Sequence, residues 1–311
     1  MEPDDVSGMV GEIFWLNGEG MSEFPKQIII ETTAFCTQRC IHCAHKTLKR
    51  KKGMMDIFLY KKIISEIAAE APHTEVWMTY YGEALILRYK LYYMIRYAKD
   101  KGLTNVVLNS NAMLLDREMT EMLIDSDLDR FIVSMDGFTK ETYEKIRVGG
   151  KYEVVLNNAL QFLDILKSRK IDKPKFEMQF SVIEENEHEV QAFNEFWESK
   201  GAYVKNRPKA SWAGRISAPN LDPNRERVPC KWALNHGAIL WDGSLVACGV
   251  DSEGLYTAGN VNEFTIKDMW NTTHKAFRQI HIDKRWQDLP EVCKNCLDWQ
   301  TTERSYLKPK D

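Results

Sequence analysis

The sequence predicts an α/β fold, a partial (β/α)6 TIM-like barrel followed by a small C-terminal α+β domain. Two observations predict the barrel: short β-branched or apolar runs alternate with longer stretches of helical periodicity, and there are six such units rather than eight. A third observation predicts the second domain. The alternation of strand and helix patterns stops in a proline-rich stretch, 208–229, and a sequence typical of a β-hairpin follows it.

Six strands are predicted, and one or two helices follow each of the first five. The predicted strands are 26–32, 75–81, 104–110, 129–135, 176–183 and 202–207. The predicted helices are 57–70, 88–101, 116–126, 140–146, 152–170 and 187–199. The strands are almost continuously apolar, which indicates a parallel sheet buried on both faces. The helices repeat apolar residues three or four positions apart, as Ile63, Ile64 and Ile67 do in the first one.

The C-terminal part begins near Cys230 and has its own signals. Asp242-Gly243 suits a tight turn between strands 238–241 and 244–247, and a helix is predicted over 265–279. The expected organisation is an N-terminal extension 1–25, the barrel 26–207, a linker or substrate loop 208–229 and a second domain 230–311.

Composition excludes several classes of protein. The chain has 311 residues and a net charge of −3, so it lacks the basic surplus of a protein that binds nucleic acid through phosphates. Its acidic start resembles no signal peptide, and no apolar run reaches the ~20 residues of a membrane span. We therefore expect no nucleic acid, no membrane and a cytoplasmic address.

Seven cysteines form two separate groups. Cys36, Cys40 and Cys43 share one loop after the first predicted strand. Three close thiolates suit an iron-sulfur cluster and leave one iron open for an outside ligand. Zinc is the alternative, because His42 or a neighbouring histidine supplies a fourth ligand. The second group lies in the last third of the chain: Cys230, Cys248, Cys293 and Cys296.

Polar residues follow three further barrel strands, at the end where barrel active sites assemble. The second strand ends in Tyr81-Gly82-Glu83 and the third reaches Asn109. The fourth ends in Ser134 and Asp136. Each signal alone also fits a polar loop that satisfies its own backbone, but together they predict one polar site that is able to bind a ribose and an ammonium group.

Together, Cys-x3-Cys-x2-Cys after the first strand, Gly-Glu after the second and Ser-x-Asp-Gly after the fourth resemble the radical S-adenosylmethionine (radical SAM) superfamily. The resemblance covers roughly residues 26–207. It implies a 4Fe-4S cluster whose open iron binds the amino and carboxylate groups of SAM. Electron transfer into the sulfonium then gives methionine and a 5′-deoxyadenosyl radical, which takes a hydrogen atom from the substrate.

The resemblance assigns expected roles residue by residue. Three residues match cluster ligands, namely Cys36, Cys40 and Cys43. His42 stands near the adenine, and Gly82 and Glu83 match the segment that receives the methionyl ammonium. Ser134, Asp136 and Asn109 fit the ribose side, and Arg147 matches an arginine that pairs with the methionyl carboxylate. Tyr81 and Ala84 depart from the family pattern without removing a required charge.

The second cysteine group resembles the opening of a SPASM domain, in the shortened form called twitch. That form carries one auxiliary 4Fe-4S cluster, which Cys230, Cys248, Cys293 and Cys296 are enough to ligate fully. A structural zinc is the alternative for four cysteines. A fully ligated cluster leaves no iron for the substrate, so its expected role is to accept an electron.

This arrangement favours dehydrogenation of a secondary alcohol over epimerisation. Three ligands and four ligands use all seven cysteines, so no thiol remains to return a hydrogen atom to the opposite face. A tyrosine hydroxyl keeps an epimerase possible, and Tyr80 and Tyr81 are the candidates. Arg215, in the linker, is the candidate to orient hydroxyls or take up a proton. A non-catalytic zinc-binding module is the alternative from another class.

The expected partners follow from the resemblance and from length. Only about 25 residues precede the first predicted strand, too few for the peptide-recognition domain of many relatives. A carbohydrate-like small molecule, such as a sugar or aminocyclitol, is therefore expected rather than a peptide. A flavodoxin- or ferredoxin-type protein is the expected electron donor.

Overall fold

The computed structural model describes residues 21–302, so most of the expected extension 1–25 lies outside the described residues. The strands are β1 (Gln27–Ile30), β2 (Glu75–Trp77), β3 (Val106–Ser110), β4 (Arg130–Ser134), β5 (Lys175–Val182), β6 (Tyr203–Pro208), β7 (His236–Ile239), β8 (Ser244–Val246) and β9 (Thr257–Asn260). They form one sheet in the order β6-β5-β4-β3-β2-β1-β7-β8-β9.

Helices cover the outside of this sheet. The α-helices are α1 (Ile57–Glu70), α2 (Tyr89–Asp100), α3 (Arg117–Asp125), α4 (Lys140–Ile146), α5 (Tyr152–Arg169), α6 (Val190–Ser199), α7 (Lys231–Asn235), α8 (Ile266–Asn271), α9 (Thr273–Ile282) and α10 (Glu291–Lys294). Short 3-10 turns lie at Ala44–Thr47, Ala84–Leu87, Glu187–Glu189, Trp286–Asp288 and Asp298–Gln300. No helix in the described range has the length and hydrophobicity of a membrane span.

The first six strands are parallel, and helices follow each of the first five, so the predicted partial barrel is confirmed. Alternate side chains point outward and pack against the helices in one core, which includes Ile28, Phe131 and Met178. The inward side chains of the same strands are largely polar or charged, among them Arg130 and Glu177. The barrel interior is therefore suited to binding a polar molecule, whereas the apolar core lies between the sheet and the helices.

Local sequence signals set several helix starts. Asp56 caps α1 by accepting hydrogen bonds from two backbone N–H groups, those of Phe58 and Leu59. Asp116 caps α3 through Met119, and Thr139 caps α4 in the same way. These caps satisfy N–H groups that have no partner inside the helix.

The hairpin region, with which the predicted second domain begins, continues the barrel sheet. β7 runs parallel to β1, with Gln27 opposite His236 and Ile30 opposite Ile239. β8 and β9 then add antiparallel strands. Sequence periodicity shows that a strand exists but not which edge it pairs with, because that choice depends on residues two hundred positions away.

The predicted helix 265–279 is wrong as a single helix. The structure has α8 and α9 instead, separated at Thr272, whose backbone (φ −116°, ψ −91°) is not helical. Asn271 and Thr272 are both weak helix formers, and Asn271 turns its side-chain amide to the backbone carbonyl of Glu23. The apolar periodicity continues across the break, which is why it suggests one element.

Candidate functional site

The first cysteine group lies on a loop that leaves β1 and is held against the end of α4. Arg39 N–H donates to the Val148 carbonyl (2.8 Å) and Ile41 N–H to the Ile146 carbonyl (2.9 Å). The N–H of Cys43 turns back onto the carbonyl of Cys40 (3.2 Å). The loop is therefore fixed by its own backbone and by a neighbouring helix, before any ligand binds.

Donor groups surround the three sulfur atoms. The Asn111 amide lies 3.8 Å from Cys36 Sγ, the Arg147 guanidinium lies 4.0 Å from Cys40 Sγ, and the N–H of His45 lies 3.4 Å from Cys43 Sγ. Donors of this kind stabilise thiolates and metal-bound sulfur.

Burial, in contrast, disfavours the thiolate form of these three cysteines. It raises the pKa of Cys36 to about 11 and that of Cys43 to about 12. The pKa of Cys40 is raised as well, mainly by burial. A metal that binds here must therefore displace protons.

Gly82 lets the loop after β2 lie directly on the cysteine loop. A Cβ atom at this position would lie 1.9 Å from the Thr33 carbonyl oxygen. The next N–H, that of Glu83, donates to the Phe35 carbonyl (2.8 Å). Only glycine permits this approach.

The Glu83 carboxylate is buried beneath that contact and accepts three hydrogen bonds. The donors are the Ser110 hydroxyl (2.8 Å), the N–H of Asn111 (2.8 Å) and the N–H of Leu85 (3.0 Å). Burial raises the pKa of Glu83, while these donors and the charge of Arg147 lower it. The carboxylate therefore ties the loop after β2 to the end of β3, while the backbone N–H of Glu83 ties that loop to the segment before Cys36.

Three residues expected to bind different parts of SAM contact one another. Asp136 Oδ2 lies 2.6 Å from the guanidinium of Arg147 and 3.1 Å from Nε2 of His42. The side chain of Asp136 is fully buried, and its Oδ1 accepts from the N–H of Ser181 (2.7 Å). Although burial alone would raise it, the pKa of Asp136 is well below its ordinary value because Arg147 and His42 stabilise the carboxylate.

A second polar row crosses the interior at the carboxyl ends of β3, β4 and β5. Ser134 Oγ donates to the Asn109 side chain (2.9 Å), and the Gln179 amide donates to Ser134 Oγ (3.1 Å). Asn109 and Ser134 were predicted from the sequence, but Gln179 was not. Its position two residues after Glu177, on the same face of an alternating strand, was the available signal.

Tyr80 and Tyr81 point away from this row, toward the second cysteine group. The Tyr80 hydroxyl donates to the Cys248 carbonyl (3.2 Å) and the Tyr81 hydroxyl to the Gly249 carbonyl (3.4 Å). Burial raises the pKa of both phenols well above 10. The Tyr81 ring also packs edge-on against Trp212, at a centroid distance of 5.3 Å.

Part of the linker, residues 211–215, forms a strap between the two cysteine groups. The Trp212 indole N–H donates to the His42 carbonyl (2.7 Å), and its ring packs beside Cys248 and Cys296. Asp298, two residues after the last cysteine, accepts from the N–H groups of Ser211 (2.5 Å) and Ala213 (2.7 Å). Asp298 was not predicted from the sequence, because no nearby residue shows which N–H groups its carboxylate binds.

Arg215 lies at the end of this strap and is already engaged. Its guanidinium pairs with Glu253 (2.7 Å) and donates to the Thr47 carbonyl (2.7 Å). These contacts join the strap to the segment after the first cysteine loop. They do not bring Arg215 to Asn109, Ser134 or the other polar residues of the barrel row.

The four later cysteines line one small cavity whose walls are otherwise mainly apolar. Trp232, Val250 and Trp299 are among its other lining residues. Arg227 donates to the carbonyls of Cys293 (2.5 Å) and Cys296 (2.7 Å), which fixes the Cys-x-x-Cys turn. Burial raises the pKa of all four thiols.

The donor atoms fit the groups that the resemblance implies. Buried polar atoms without a hydrogen-bond partner in the described range include His42 Nδ1, Arg147 Nε and Gln179 Oε1, which are available to a bound polar molecule. Among residues 21–302, no three Cys, His, Asp or Glu side chains converge closely enough to hold a single metal ion. A cluster differs, because each thiolate binds its own iron.

Two family models match the chain. The model of the radical SAM superfamily matches residues 30–196, and that of an iron-sulfur cluster-binding domain, SPASM, matches residues 230–297. The two matches include all seven cysteines.

Two curated relatives differ in how much of the chain they cover. The S-adenosyl-L-methionine-dependent 2-deoxy-scyllo-inosamine dehydrogenase of Niallia circulans is 20% identical over 292 residues, 91% of this chain and 98% of that protein. The AdoMet-dependent heme synthase of Methanosarcina barkeri is 31% identical over 184 residues. That match spans 58% of this chain and only half, 50%, of the relative.

Solved structures share the fold at low identity. The crystal structure of BtrN in complex with AdoMet and 2-DOIA has a TM-score of 0.60 and 18% identity, and covers 89% of this chain and 94% of that one. Streptococcus suis SuiB bound to precursor peptide SuiA has a TM-score of 0.68 and 12% identity, with 83% and 67% covered.

Proposed function

The chain belongs to the radical SAM superfamily, and from that premise we propose that it dehydrogenates a secondary alcohol of a sugar- or aminocyclitol-like metabolite. Its cofactors are SAM and 4Fe-4S clusters. When bound, these supply a 5′-deoxyadenosyl radical that removes a hydrogen atom from the substrate, and a one-electron acceptor.

The observation that carries the proposal is the grouping of the seven cysteines. Three thiols share the loop after β1, and four line one cavity about two hundred residues later in the chain. With four thiolates for one cluster, the second site has no open iron for a substrate, which suits an electron acceptor. A dehydrogenation requires such an acceptor, because loss of a hydrogen atom and a proton leaves one electron on the substrate.

The residues at the barrel mouth support the role of binding SAM. We propose that Cys36, Cys40 and Cys43 ligate the first cluster, and that Glu83 receives the methionyl ammonium. His42, Asp136 and Arg147 already contact one another beside Cys40. Bound SAM would exchange some of these contacts for its own carboxylate, adenine and ribose.

The contacts of the two tyrosines weigh against an epimerase. An epimerase needs a hydrogen-atom donor on the far side of the substrate, and this chain has no cysteine beyond the seven in the two groups. The hydroxyls of Tyr80 and Tyr81 are both directed to backbone carbonyls of the second cysteine site. They are therefore poorly placed to serve as that donor.

The distant relative that covers nearly the whole chain supports the substrate class. Because this relative is only 20% identical to the chain, we take from it a test compound, 2-deoxy-scyllo-inosamine, and not the identity of the substrate. We propose a carbohydrate-like small molecule as substrate and a flavodoxin- or ferredoxin-type protein as electron donor. A peptide is the other substrate class, because the structural neighbour SuiB is bound to a precursor peptide.

The test is an anaerobic reaction with SAM, a chemical reductant and 2-deoxy-scyllo-inosamine in deuterium oxide. We expect about eight irons per chain, one 5′-deoxyadenosine per ketone formed and no solvent deuterium on carbon. A redox-neutral epimer that carries solvent deuterium would contradict the dehydrogenase. A colourless protein that holds zinc would contradict the radical chemistry altogether.

A matched pair of variants separates the two sites. Cys248→Ala should lower the iron content to about four per chain and abolish the ketone, while 5′-deoxyadenosine still forms. Cys40→Ala should abolish both products. Equal ketone yields from Cys248→Ala and the wild type would show that the second site accepts no electron from the substrate.

A further inference from the structure

A lysine lies in the barrel interior, in line with the polar row. Lys205 is in β6, and its side chain is 6% exposed. Strand register places Ser134 opposite Gln179, and Gln179 opposite Lys205. Since Gln179 donates to Ser134 and Ser134 to Asn109, Lys205 occupies the next position of a row that begins with two predicted SAM contacts.

Contacts across the barrel fix the direction of this side chain. The ammonium nitrogen of Lys205 lies 5.2 Å from the ring centroid of Trp77, in β2. Three strands separate β2 from β6 in the sheet order, so this contact crosses the interior rather than following the sheet. The amine therefore lies inside the barrel, beneath the mouth where the first cysteine loop sits.

Charged groups from several strands face this amine. Arg130 of β4 bridges the carboxylates of Glu75 and Glu177, at 2.9 Å from each. Burial lowers the pKa of Lys205 to about 7; Arg207 and Arg130 act in the same direction, and Glu177 and Glu75 oppose them. Arg207 also faces His236 of β7, whose pKa burial lowers to about 4, so that ring is neutral near pH 7.

Dehydrogenation of an alcohol requires a proton acceptor inside the site. The two residues first considered fit this need poorly. Arg215 pairs with Glu253, and a guanidinium does not give up its proton in proteins. Tyr81 is buried, and its hydroxyl donates to the Gly249 carbonyl.

We propose that Lys205 is the general base of this enzyme, the residue that accepts the hydroxyl proton of the substrate. This inference rests on the proposed function. The substrate loses a hydrogen atom from its carbinol carbon to the 5′-deoxyadenosyl radical. Its O–H bond breaks, the proton forms a new N–H bond on Lys205, the carbonyl forms, and the remaining electron passes to an iron-sulfur acceptor.

The first test needs no substrate. In protein labelled with ¹³C at the lysine ε position, one lysine signal should titrate near pH 7 and should be missing in Lys205→Arg. The other lysines should titrate above pH 9. A Lys205 signal that titrates with the others would overturn the proposal, because such an amine is fully protonated at neutral pH.

The second test separates proton transfer from hydrogen-atom abstraction. With 2-deoxy-scyllo-inosamine as probe, Lys205→Arg should form 5′-deoxyadenosine but lose ketone formation by about 10²–10⁴-fold. The rise of the wild-type ketone rate with pH, centred near 7, should disappear in this variant. Lys205→Met should behave similarly if it folds. Lys175→Arg, at the first residue of β5, is the matched control.

The outcomes distinguish a failure of the proposal for Lys205 from a failure of the proposed dehydrogenation. If the wild type forms a ketone and Lys205→Arg forms it equally with an unchanged pH profile, Lys205 only balances the charges of Glu75 and Glu177, and the proposal is wrong. If the wild type forms no ketone but a redox-neutral product, the proposed dehydrogenation is wrong, whatever the titration of Lys205 shows.

Discussion

Among the side chains at the barrel mouth, we expect that of Asp136 to contribute most to the free energy of unfolding. It is fully buried and contacts both Arg147 and His42. A buried carboxylate with two cationic or potentially cationic neighbours contributes strongly only while all partners remain. Its loss therefore leaves an arginine charge in the interior without compensation.

We predict that Asp136→Asn lowers the free energy of unfolding by about 3–5 kcal/mol. The control is Asp125→Asn, whose pair with Arg169 is largely exposed and should contribute about 0–1 kcal/mol. Urea unfolding of the anaerobically prepared protein measures both. Equal losses in the two variants would contradict the assigned role of Asp136.

The pH dependence of this effect has a defined sign. Because the folded pKa of Asp136 is below its ordinary value of 3.8, its contribution is complete above about pH 4–5 and is lost as the pH falls further. The difference in stability between the wild type and Asp136→Asn should therefore shrink below pH 4. A difference that grows on acidification would contradict this sign.

Gly82 gives a second prediction at the residue scale. Gly82→Ala places a Cβ atom against the Thr33 carbonyl, so the loop after β2 must move away from the cysteine loop. We expect a loss of about 1–3 kcal/mol in stability, and iron content reduced to about four per chain. Gly102→Ala, where φ is +90° but no atom lies within 4 Å, should cost about 1 kcal/mol and keep all the iron.

Sequence alone predicted some of these residues better than others. The three thiols lie within eight residues of one another, so their spacing is visible without a fold. The ion pair between Asp136 and Arg147 is not, because each residue was expected to contact the ligand and not the other. Gln179 and Lys205 join the row only through strand register, which no local pattern contains.

The strap, residues 211–215, is the element that joins the two cysteine groups. Asp298 holds two of its N–H groups, and Trp212 donates to the His42 carbonyl. Trp212 and Ala213 both have positive φ values, 53° and 56°, a backbone conformation that non-glycine residues adopt at a cost. The strap therefore depends on its side-chain anchors to stay in place.

We predict that Asp298→Asn loosens the strap, since an amide presents one acceptor where the carboxylate presents two. Loss of one charge-assisted hydrogen bond of about 1.5 kcal/mol should speed protease cleavage within 208–229 by roughly tenfold. Asp288→Asn, at an exposed pair with Arg285, is the control. Cleavage rates followed by mass spectrometry decide, and unchanged rates in Asp298→Asn would contradict the anchor.

Helices and strands were predicted best where the sequence marks both the first and the last residue of the element. The helix 57–70 was predicted with the bounds that α1 has, because Asp56 caps its start and the apolar pattern stops at its end. The helix over 265–279 was wrong since its break at Thr272 leaves the apolar pattern intact. β9 was not predicted, because three of its four residues, Ala258, Gly259 and Asn260, have little strand propensity.

At the scale of the whole molecule, the barrel and the later strands share one sheet. β1 lies between β2 and β7, and Ile28 and Ile239 belong to the same core. The partial barrel was predictable from six alternating units. The pairing of β7 with β1 was not, because the sequence of a strand carries no sign of its partner.

We predict one cooperative unfolding transition for the described barrel and the strands after Cys230. Removing residues 230–311 would expose the edge of β1 and one side of its core, so the shortened chain should aggregate. Cys248→Ala, which keeps every strand, should still unfold in one step. Two separate calorimetric transitions in the wild type would contradict a shared sheet of this kind.

The strap also bears on the spacing of the two cysteine groups. Its tryptophan rests on the first cysteine loop, and its backbone is fastened beside the last cysteine. A change at either anchor should therefore alter the distance between the two cysteine groups.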